Sequence, residues 1–266
     1  MRNRYLYKDF LIIRFMKDVE KIKNYYNDFW LPKNINEQQK SDLTQYEEEA
    51  MNYALNYLKN YFNKSKNKKL LEIGPGKGDN VIKFARMGFK VTAIDISRNS
   101  LKSCKELSKK YNLLRSIKLI QMDAHNMKFK SNQFDVIFIK TTLMHLNHIK
   151  VVKECKRVLK KNGILISIEP IDENLLIRFY RLFFSQFKET KPRYLKYKDL
   201  LIISKNFKKS YRKIFYLFSF ISLIFRENTK FYKMISKILK KSENLILRVI
   251  PSLEKKCWLS VSIYIK

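Results

Sequence analysis

The chain has 266 residues, 45% of them hydrophobic, and sets 56 Lys and Arg against 24 Asp and Glu for a formal net charge of +32. The apolar content excludes wholesale disorder, and the length suits one large α/β domain or a domain with a helical extension. Such a charge points toward nucleic acid or an anionic membrane surface, yet a chain this rich in Lys, Asn, Ile, Tyr and Phe also carries the mark of A/T-rich codons, and planar phosphate recognition favours the less abundant Arg.

In chain order, the opening MRNRYLYKDFLIIRFMKDVEK is basic, but Arg14 and Lys17 break its apolar run, which makes it a poor signal peptide. The first sixty or so residues read as helices. In YEEEAMNYALNYLKNYF (46–62), Ala50, Tyr53, Ala54, Tyr57, Leu58 and Tyr61 recur at three-to-four spacing. NKSKNKK (63–69) is a polar break. The pattern then changes to short apolar strands separated by helices. LLEI (70–73) is a strand, Asp79 to Met87 a helix with Gly88 at its C-cap, and FKVTAID (89–95) a strand. Ser97 caps a helix from Arg98 to Tyr111. IKLIQMD (117–123) and FDVIFIK (134–140) are strands, Ile149 to Lys160 a helix closed by Asn162-Gly163, and ILISIEP (164–170) a further strand. Strands this uniformly apolar, alternating with helices, predict a parallel sheet covered on both faces. Beyond Pro170, Leu175 to Phe187 reads as a helix, Phe207 to Phe220 contains a strand, Phe231 to Arg248 is a basic amphipathic helix, and CWLSVSIYIK (257–266) is a last strand. The apolar run IFYLFSFISLIF (214–225) falls short of the roughly 20 residues a membrane span needs, so no such span is expected. The cysteines Cys104, Cys155 and Cys257 are odd in number and dispersed, neither a disulfide framework nor a zinc motif, which fits a reducing cytoplasm.

Three of the chain's 5 glycines stand together in LLEIGPGKGDN, as Gly74, Gly76 and Gly78. A loop at the carboxyl end of a parallel strand is where such sheets bind ligands. Glycine there admits backbone angles closed to other residues and lets the backbone approach a ligand. A purely structural turn needs one glycine, or two. The spacing G-x-G-x-G differs from the dinucleotide fingerprint G-x-G-x-x-G, and no G-K-[ST] follows. Glu72 and Asp79 flank the loop, and two carboxylates repel a pyrophosphate and attract a cation such as an ammonium or sulfonium. Asp95 ends the second strand, where a carboxylate can accept both hydroxyls of a ribose. Asp123 ends the third strand, where with the Ala124 backbone it can read an adenine edge. A lone Asp at a strand end is usually a surface or capping residue; three acids at three successive strand ends beside a glycine loop form a constellation.

LEIGPGKG (71–78), VTAIDIS (91–97), MDAHNMKF (122–129), FDVIFIKTTLMHL (134–146) and RVLKKNGILISIEP (157–170) together resemble, in order, the motifs of the class I S-adenosylmethionine-dependent methyltransferases of small-molecule type. The family's second glycine is missing after Gly163. The resemblance covers roughly residues 45 to 170 and, more weakly, the last strand. It implies an α/β, Rossmann-like, doubly wound and mostly parallel seven-stranded sheet with helices on both faces and an N-terminal helical extension. The domain plan it implies is an extension or lid over 1–66 and a methyltransferase domain over 67–266, divided into a cofactor half (67–170), an acceptor-binding cover (171–256) and a last strand (257–266). The cofactor it implies is S-adenosyl-L-methionine. Gly74, Gly76 and Gly78 would cradle its methionine part with Glu72 near the ammonium. Asp95 would hold the ribose, Ile96 pack on the adenine, and Asp123 with Ala124 meet the adenine amine and ring. Lys140 stands where the family often has a small polar residue near the methionine, so it either points away or contacts a substrate acid.

His145, just after the fourth strand, is the candidate general base, against a reading as a packed residue near the cofactor. His148, Glu169 and Asp172 are weaker candidates, Glu169 against a reading in which it simply ends its strand with Pro170, and His125 reads as a loop residue. KTTL (140–143) lacks the [ND]-P-P-[YF] stretch of base-amine methylation, no cysteine follows a proline as carbon methylation of cytosine requires, and no cluster suggests a metal. The aromatic stretch YYNDFWLP (25–32) either packs as a helix or lies over the cofactor as a lid, and FYRLFFSQFKETKPRYLKY (179–197) mixes aromatics with cations where the family places its acceptor cover. The acceptor expected is a small or medium molecule, with O-methylation of a glycan, glycolipid or secondary metabolite leading. A membrane-surface lipid or another anionic substrate is also admitted, and RNA or protein is the alternative that draws on the charge. The expected location is cytoplasmic, with a peripheral membrane association admitted; the oligomeric state is not legible.

Overall fold

Seven strands pair in the order β3-β2-β1-β4-β5-β7-β6, in a computed structural model that describes residues 19–31, 44–62, 67–184, 190, 192–225 and 229–266. The readings of the N-terminal start, of Pro32, of the first half of the 63–69 break and of residues 185–187 lie outside the described residues. The chain runs through α1 (19–29), α2 (Thr44–Tyr61), β1 (Lys69–Ile73), α3 (Asp79–Arg86), β2 (Lys90–Asp95), α4 (Arg98–Lys110), β3 (Ile117–Gln121) and β4 (Phe134–Lys140). It continues through α5 (His148–Val158), β5 (Leu159–Pro170), α6 (Leu175–Phe184), α7 (Tyr197–Ser204), β6 (Lys209–Phe215), α8 (Thr229–Val249) and β7 (Leu259–Ile265). Short 3-10 turns stand at Leu143–His145, Ser219–Phe225 and Pro251–Lys256.

Strands β1 to β5 are parallel, and β7 runs antiparallel between β5 and β6. This is the predicted α/β, doubly wound and mostly parallel sheet. Successive strand residues face opposite sides. Leu70, Val136, Phe138 and Ile166 join one core with Phe84 of α3 and with Ala50, Ala54 and Leu58 of α2. Leu71, Ile73, Ile137 and Leu165 join the other with Val151 and Cys155 of α5 and Leu200 of α7. Each such Leu, Ile or Phe contributes about 1.5–3 kcal/mol relative to exposure, so the two cores rather than helix propensity hold the layers together.

The chain proceeds from β1 outward through β2 to β3, then returns to β4 on the other side of β1. That reversal opens a crevice at the carboxyl ends of β1 and β4, which positions the site.

One boundary departs from the sequence reading. Asn162-Gly163 does not close α5. The helix ends at Val158, and Leu159 already pairs with Phe134, while Ile164 pairs with Val136. Residues 160–163 bulge out between these pairs, with Asn162 at φ 60°. The bulge is tied down by Lys160 Nζ on the Asp135 carboxylate at 3.0 Å and by Lys266 N on the Gly163 carbonyl at 3.0 Å. The polar KKNG segment is thus a bulge within β5, not the end of the helix.

Candidate functional site

The loop after β1 takes left-handed angles at all three glycines, with φ 71° at Gly74, 54° at Gly76 and 98° at Gly78. An L side chain is strained there, and space forbids one as well. A Cβ on Gly78 would lie 2.6 Å from Cys104 Sγ, where α3 and α4 pack, and one on Gly74 would strike the Thr142 side chain. A Cβ on Gly76 would lie 2.8 Å from Trp30 Cζ2. Packing against Thr142, Trp30 and Cys104 thus favours glycine at these positions in addition to the close approach of a ligand that the sequence suggests.

At the end of β1, Glu72 is 1% exposed, and its Oε2 has no hydrogen-bond partner among the described residues. Burial pushes its carboxyl up to about 8, against a hydrogen bond from Asn80 and the charge of Lys140. Lys140, at the end of β4, is thus near enough for its charge to act on this acid. A buried carboxyl oxygen with no donor has room for a hydrogen-bonding cation as its partner.

Asp95, at the end of β2, has one oxygen accepting the Ser97 N–H at 2.9 Å and the other accepting the Ser100 hydroxyl at 2.7 Å. Burial raises its carboxyl, opposed by these bonds. Ser97 caps α4 as its position predicts, accepting from Ser100 N at 3.1 Å. Ile96 is half-buried beside them. Asp123 stands two residues past β3 and Ala124 is buried next to it. Burial would raise the Asp123 carboxyl, but its hydrogen bonds from His125 outweigh that and hold it below the usual range.

His125 is more than a loop residue. Its Nδ1 lies 2.6 Å from Asp123 Oδ1, and its Nε2 accepts the Asn147 N–H at 3.0 Å, which makes Nδ1 the protonated nitrogen. The same loop is held by Arg157 of α5, which donates to the carbonyls of Met127 and Phe129 at 2.7 Å each and to Glu154. Met127 N–H returns to Glu154 at 2.9 Å.

His145 ends the 3-10 turn after β4. Burial lowers its imidazole to about 4, so it is neutral at ordinary pH. Its Nε2 lies 2.7 Å from the Tyr26 hydroxyl, whose own ionisation burial pushes well above the usual phenol range. Glu169 does not merely end β5. It is buried, and one oxygen accepts the N–H groups of Thr142 and Leu143 at 3.0 Å each, fixing the turn that carries His145. Asp172 is engaged by Arg181 at 3.2 Å, and His148 is buried 3.9 Å from Asp199. Neither joins the crevice cluster.

The N-terminal helix crosses this site. Asn27 Oδ1 accepts from the Ser97 hydroxyl and from Arg98 N–H at 3.0 Å each, and the Asn27 carbonyl accepts from Asn99 Nδ2 at 2.8 Å. Tyr26 reaches His145 and Trp30 covers Gly76. So α1 is fastened on both banks of the crevice. The aromatic stretch that forms its second half was visible in the sequence; Asn27 as a second cap for α4 was not. Among the described residues no His, Cys, Asp or Glu group is arranged to hold a metal ion, and no helix is long and apolar enough to cross a membrane.

Residues 71–167 match the family model described as a methyltransferase domain. The ubiquinone/menaquinone biosynthesis C-methyltransferase of Rickettsia prowazekii (strain Madrid E) is 31% identical over 126 residues, which are 44% of this chain and 51% of that protein. The demethylmenaquinone methyltransferase of Staphylococcus aureus (strain JH9) is 31% identical over 125 residues, 45% of this chain and 51% of that protein. The chain thus spans about half the length of the curated relatives it matches. Among solved structures, Haemonchus contortus phosphoethanolamine N-methyltransferase 2, in complex with phosphomonomethylethanolamine and S-adenosylhomocysteine, superposes with TM-score 0.59 at 19% identity, over 81% of this chain and 52% of that one. The [4+2]-cyclase SpnF superposes with TM-score 0.53 at 14% identity, over 79% and 78%. Both share the fold, and the second bears the name of a reaction other than methyl transfer, so the chemistry must be argued from the site.

Proposed function

We propose that this chain, whose residues 71–167 match a methyltransferase-domain model, is a class I S-adenosylmethionine-dependent methyltransferase that transfers the methyl group of that cofactor to a small acceptor. The observation that carries the reading is the row of acids Glu72, Asp95 and Asp123 at the ends of β1, β2 and β3 beside the glycine loop, with the Glu72 oxygen buried and without a donor among the described residues. That oxygen fits the cofactor's ammonium, and Asp95 fits its ribose hydroxyls. Asp123 and Ala124 would read the adenine against Ile96, the loop from Gly74 to Gly78 would line the methionine part, and Lys140 would temper the charge of Glu72. When bound, the cofactor supplies a methyl group already activated on a sulfonium.

The protein's share is then positioning and proton transfer. Holding an acceptor atom in line can lower the barrier by about 7–11 kcal/mol. His145, neutral and with its Nε2 on the Tyr26 hydroxyl, would take the acceptor's proton at Nδ1, as a base that burial keeps weak. The turn it needs is held by Glu169. Helix α1 would act as the cover on the cofactor side, and the region from 171 to 256 as the cover on the acceptor side, with 257–266 completing the sheet.

The sequence reading led with O-methylation of a glycan, glycolipid or secondary metabolite, although the aromatic and cationic segments do not choose among acceptors. The names of the relatives favour a different acceptor, a carbon in quinone biosynthesis. What the two share is a small acceptor that loses a proton to a buried neutral base, and that is the reading we hold. No relative named above favours RNA or protein.

The test is transfer of a labelled methyl group from S-adenosylmethionine by the purified chain into a host lysate separated into lipid, small polar, protein and RNA fractions. Label in the lipid or small polar fraction is expected. Label confined to RNA or protein would overturn the acceptor class.

A further inference from the structure

The amphipathic helix α8 shows more apolar surface than a helix on a water-facing flank needs. Its buried side carries Ser236 and Glu243, and Glu243 accepts the N–H groups of Phe218 and Ser219 at 3.0 and 2.9 Å. Its outer side carries Met234 (50% exposed), Ile238 (52%), Leu245 (63%) and Val249 (73%). At 3.6 residues per turn these four fall on one stripe. Lys230, Lys237, Lys241 and Arg248 fall on a second stripe along one border of the first, and all four are exposed. Glu243 is the helix's one acid and is buried, so no carboxylate faces outward from α8.

Helix α6 adds a second apolar face with Leu175 (69% exposed), Phe179 (64%) and Leu182 (70%) beside the exposed Arg178. Both helices belong to one end of the sheet. β5 ends at Pro170 just before α6, β6 ends at Phe215 just before the turn that packs on α8, and the antiparallel β7 begins at Leu259 on that same end. Asn174, at the start of α6, donates to the carbonyls of Leu217 and Lys256, which flank α8 on either side in sequence. This is the end at which the parallel strands deliver Glu72, Asp95 and Lys140.

We infer that the outer faces of α8 and α6 form a docking surface for an anionic lipid bilayer, placed so that the crevice opens toward that bilayer. An apolar stripe bordered by cations is the chemistry of a helix lying in a lipid interface, with the apolar side chains among acyl chains and the ammonium groups among phosphates. A water-soluble protein partner would have to bring an acidic border matching four cations along the full helix, and a second copy of this chain would set those cations against each other. The surface is argued from exposure and charge alone and does not depend on the methyl-transfer reading.

The experiment is co-sedimentation of the full chain with vesicles of phosphatidylglycerol and phosphatidylcholine, beside vesicles of phosphatidylcholine alone, without cofactor or acceptor. Expected is binding to the anionic vesicles at 150 mM salt, roughly tenfold or more weaker in Ile238→Asp/Leu245→Asp and, separately, in Lys237→Glu/Lys241→Glu. These side chains are exposed, and an unchanged melting temperature in each variant shows that the fold is intact. Binding of the wild-type that neither variant weakens would assign the effect to net charge at large and overturn the proposal. So would no vesicle binding, or a dimer in sedimentation that Ile238→Asp/Leu245→Asp dissolves.

Discussion

Glu72 is a carboxyl group held dry at the end of a strand, and that single placement has consequences in pH. Its ordinary value is 4.5 and burial raises it to about 8. Between those values the folded chain keeps a proton that the unfolded chain has released, so this group lowers stability as pH rises through that window. An ammonium beside it reverses the preference, and binding expels the proton. The affinity for S-adenosylhomocysteine should therefore rise by up to about tenfold per pH unit below pH 8. Calorimetry in buffers of differing ionisation enthalpy should show release of close to one proton at pH 7. Glu72→Gln should remove both effects; a pH-independent affinity in the wild-type would separate Glu72 from the ligand. His145 shifts the other way. Burial brings it from 6.5 to about 4, so its contribution to stability is present above 6.5 and is lost as pH falls toward 4. His145→Ala should leave S-adenosylhomocysteine affinity within about twofold while lowering kcat by about 10²–10⁴. An unchanged kcat would make His145 a packing residue.

At the scale of elements, what the sequence shows is local. Most strands could be found because they are short apolar runs, whereas β6, KSYRKIF, is apolar only at its end; the glycine loop and its acids could be found because they sit next to the strand ends that position them. The bulge at 160–163 was hidden, since KKNG reads as the end of a helix closed by Asn162-Gly163, and only the pairing of Leu159 with Phe134 draws it into β5. Glu169 and His125 were undervalued for a related reason. Their partners Thr142 and Asn147 are 27 and 22 residues away, and no short motif joins them. The fastening of α1 reaches further, with Asn27 meeting Ser97 across 70 residues and Tyr26 meeting His145 across 119. Asn27→Ala removes the acceptor of two hydrogen bonds, about 1 kcal/mol or somewhat more. Amide exchange in residues 19–29 should quicken by roughly fivefold to tenfold, with the strands unaffected. Unchanged exchange would mean that Tyr26 and Trp30 alone hold the helix.

For the whole molecule, charge is the quantity that outlasts any single contact. A net +32 repels itself, and the Debye length shrinks from roughly 30 Å at 0.01 M salt to about 10 Å at 0.1 M. The melting temperature should rise by several degrees between those salt concentrations; a fall would mean that ion pairs such as Lys160 with Asp135 outweigh the repulsion. Composition gave the size of this charge, but only the fold shows that α8 keeps its one acid inside and its cations out.

The central claim is that the crevice at the ends of β1, β2 and β3 holds S-adenosylmethionine through acids. The most direct measurement is equilibrium binding of S-adenosylhomocysteine to the wild-type chain and to Asp95→Ala and Gly76→Val. The account predicts one site per chain in the wild-type and a loss of about 100-fold or more in each variant, the first by removing a charged acceptor of two hydroxyls and the second by filling the loop. Wild-type affinity retained in both variants, or no binding to the wild-type at all, would contradict it.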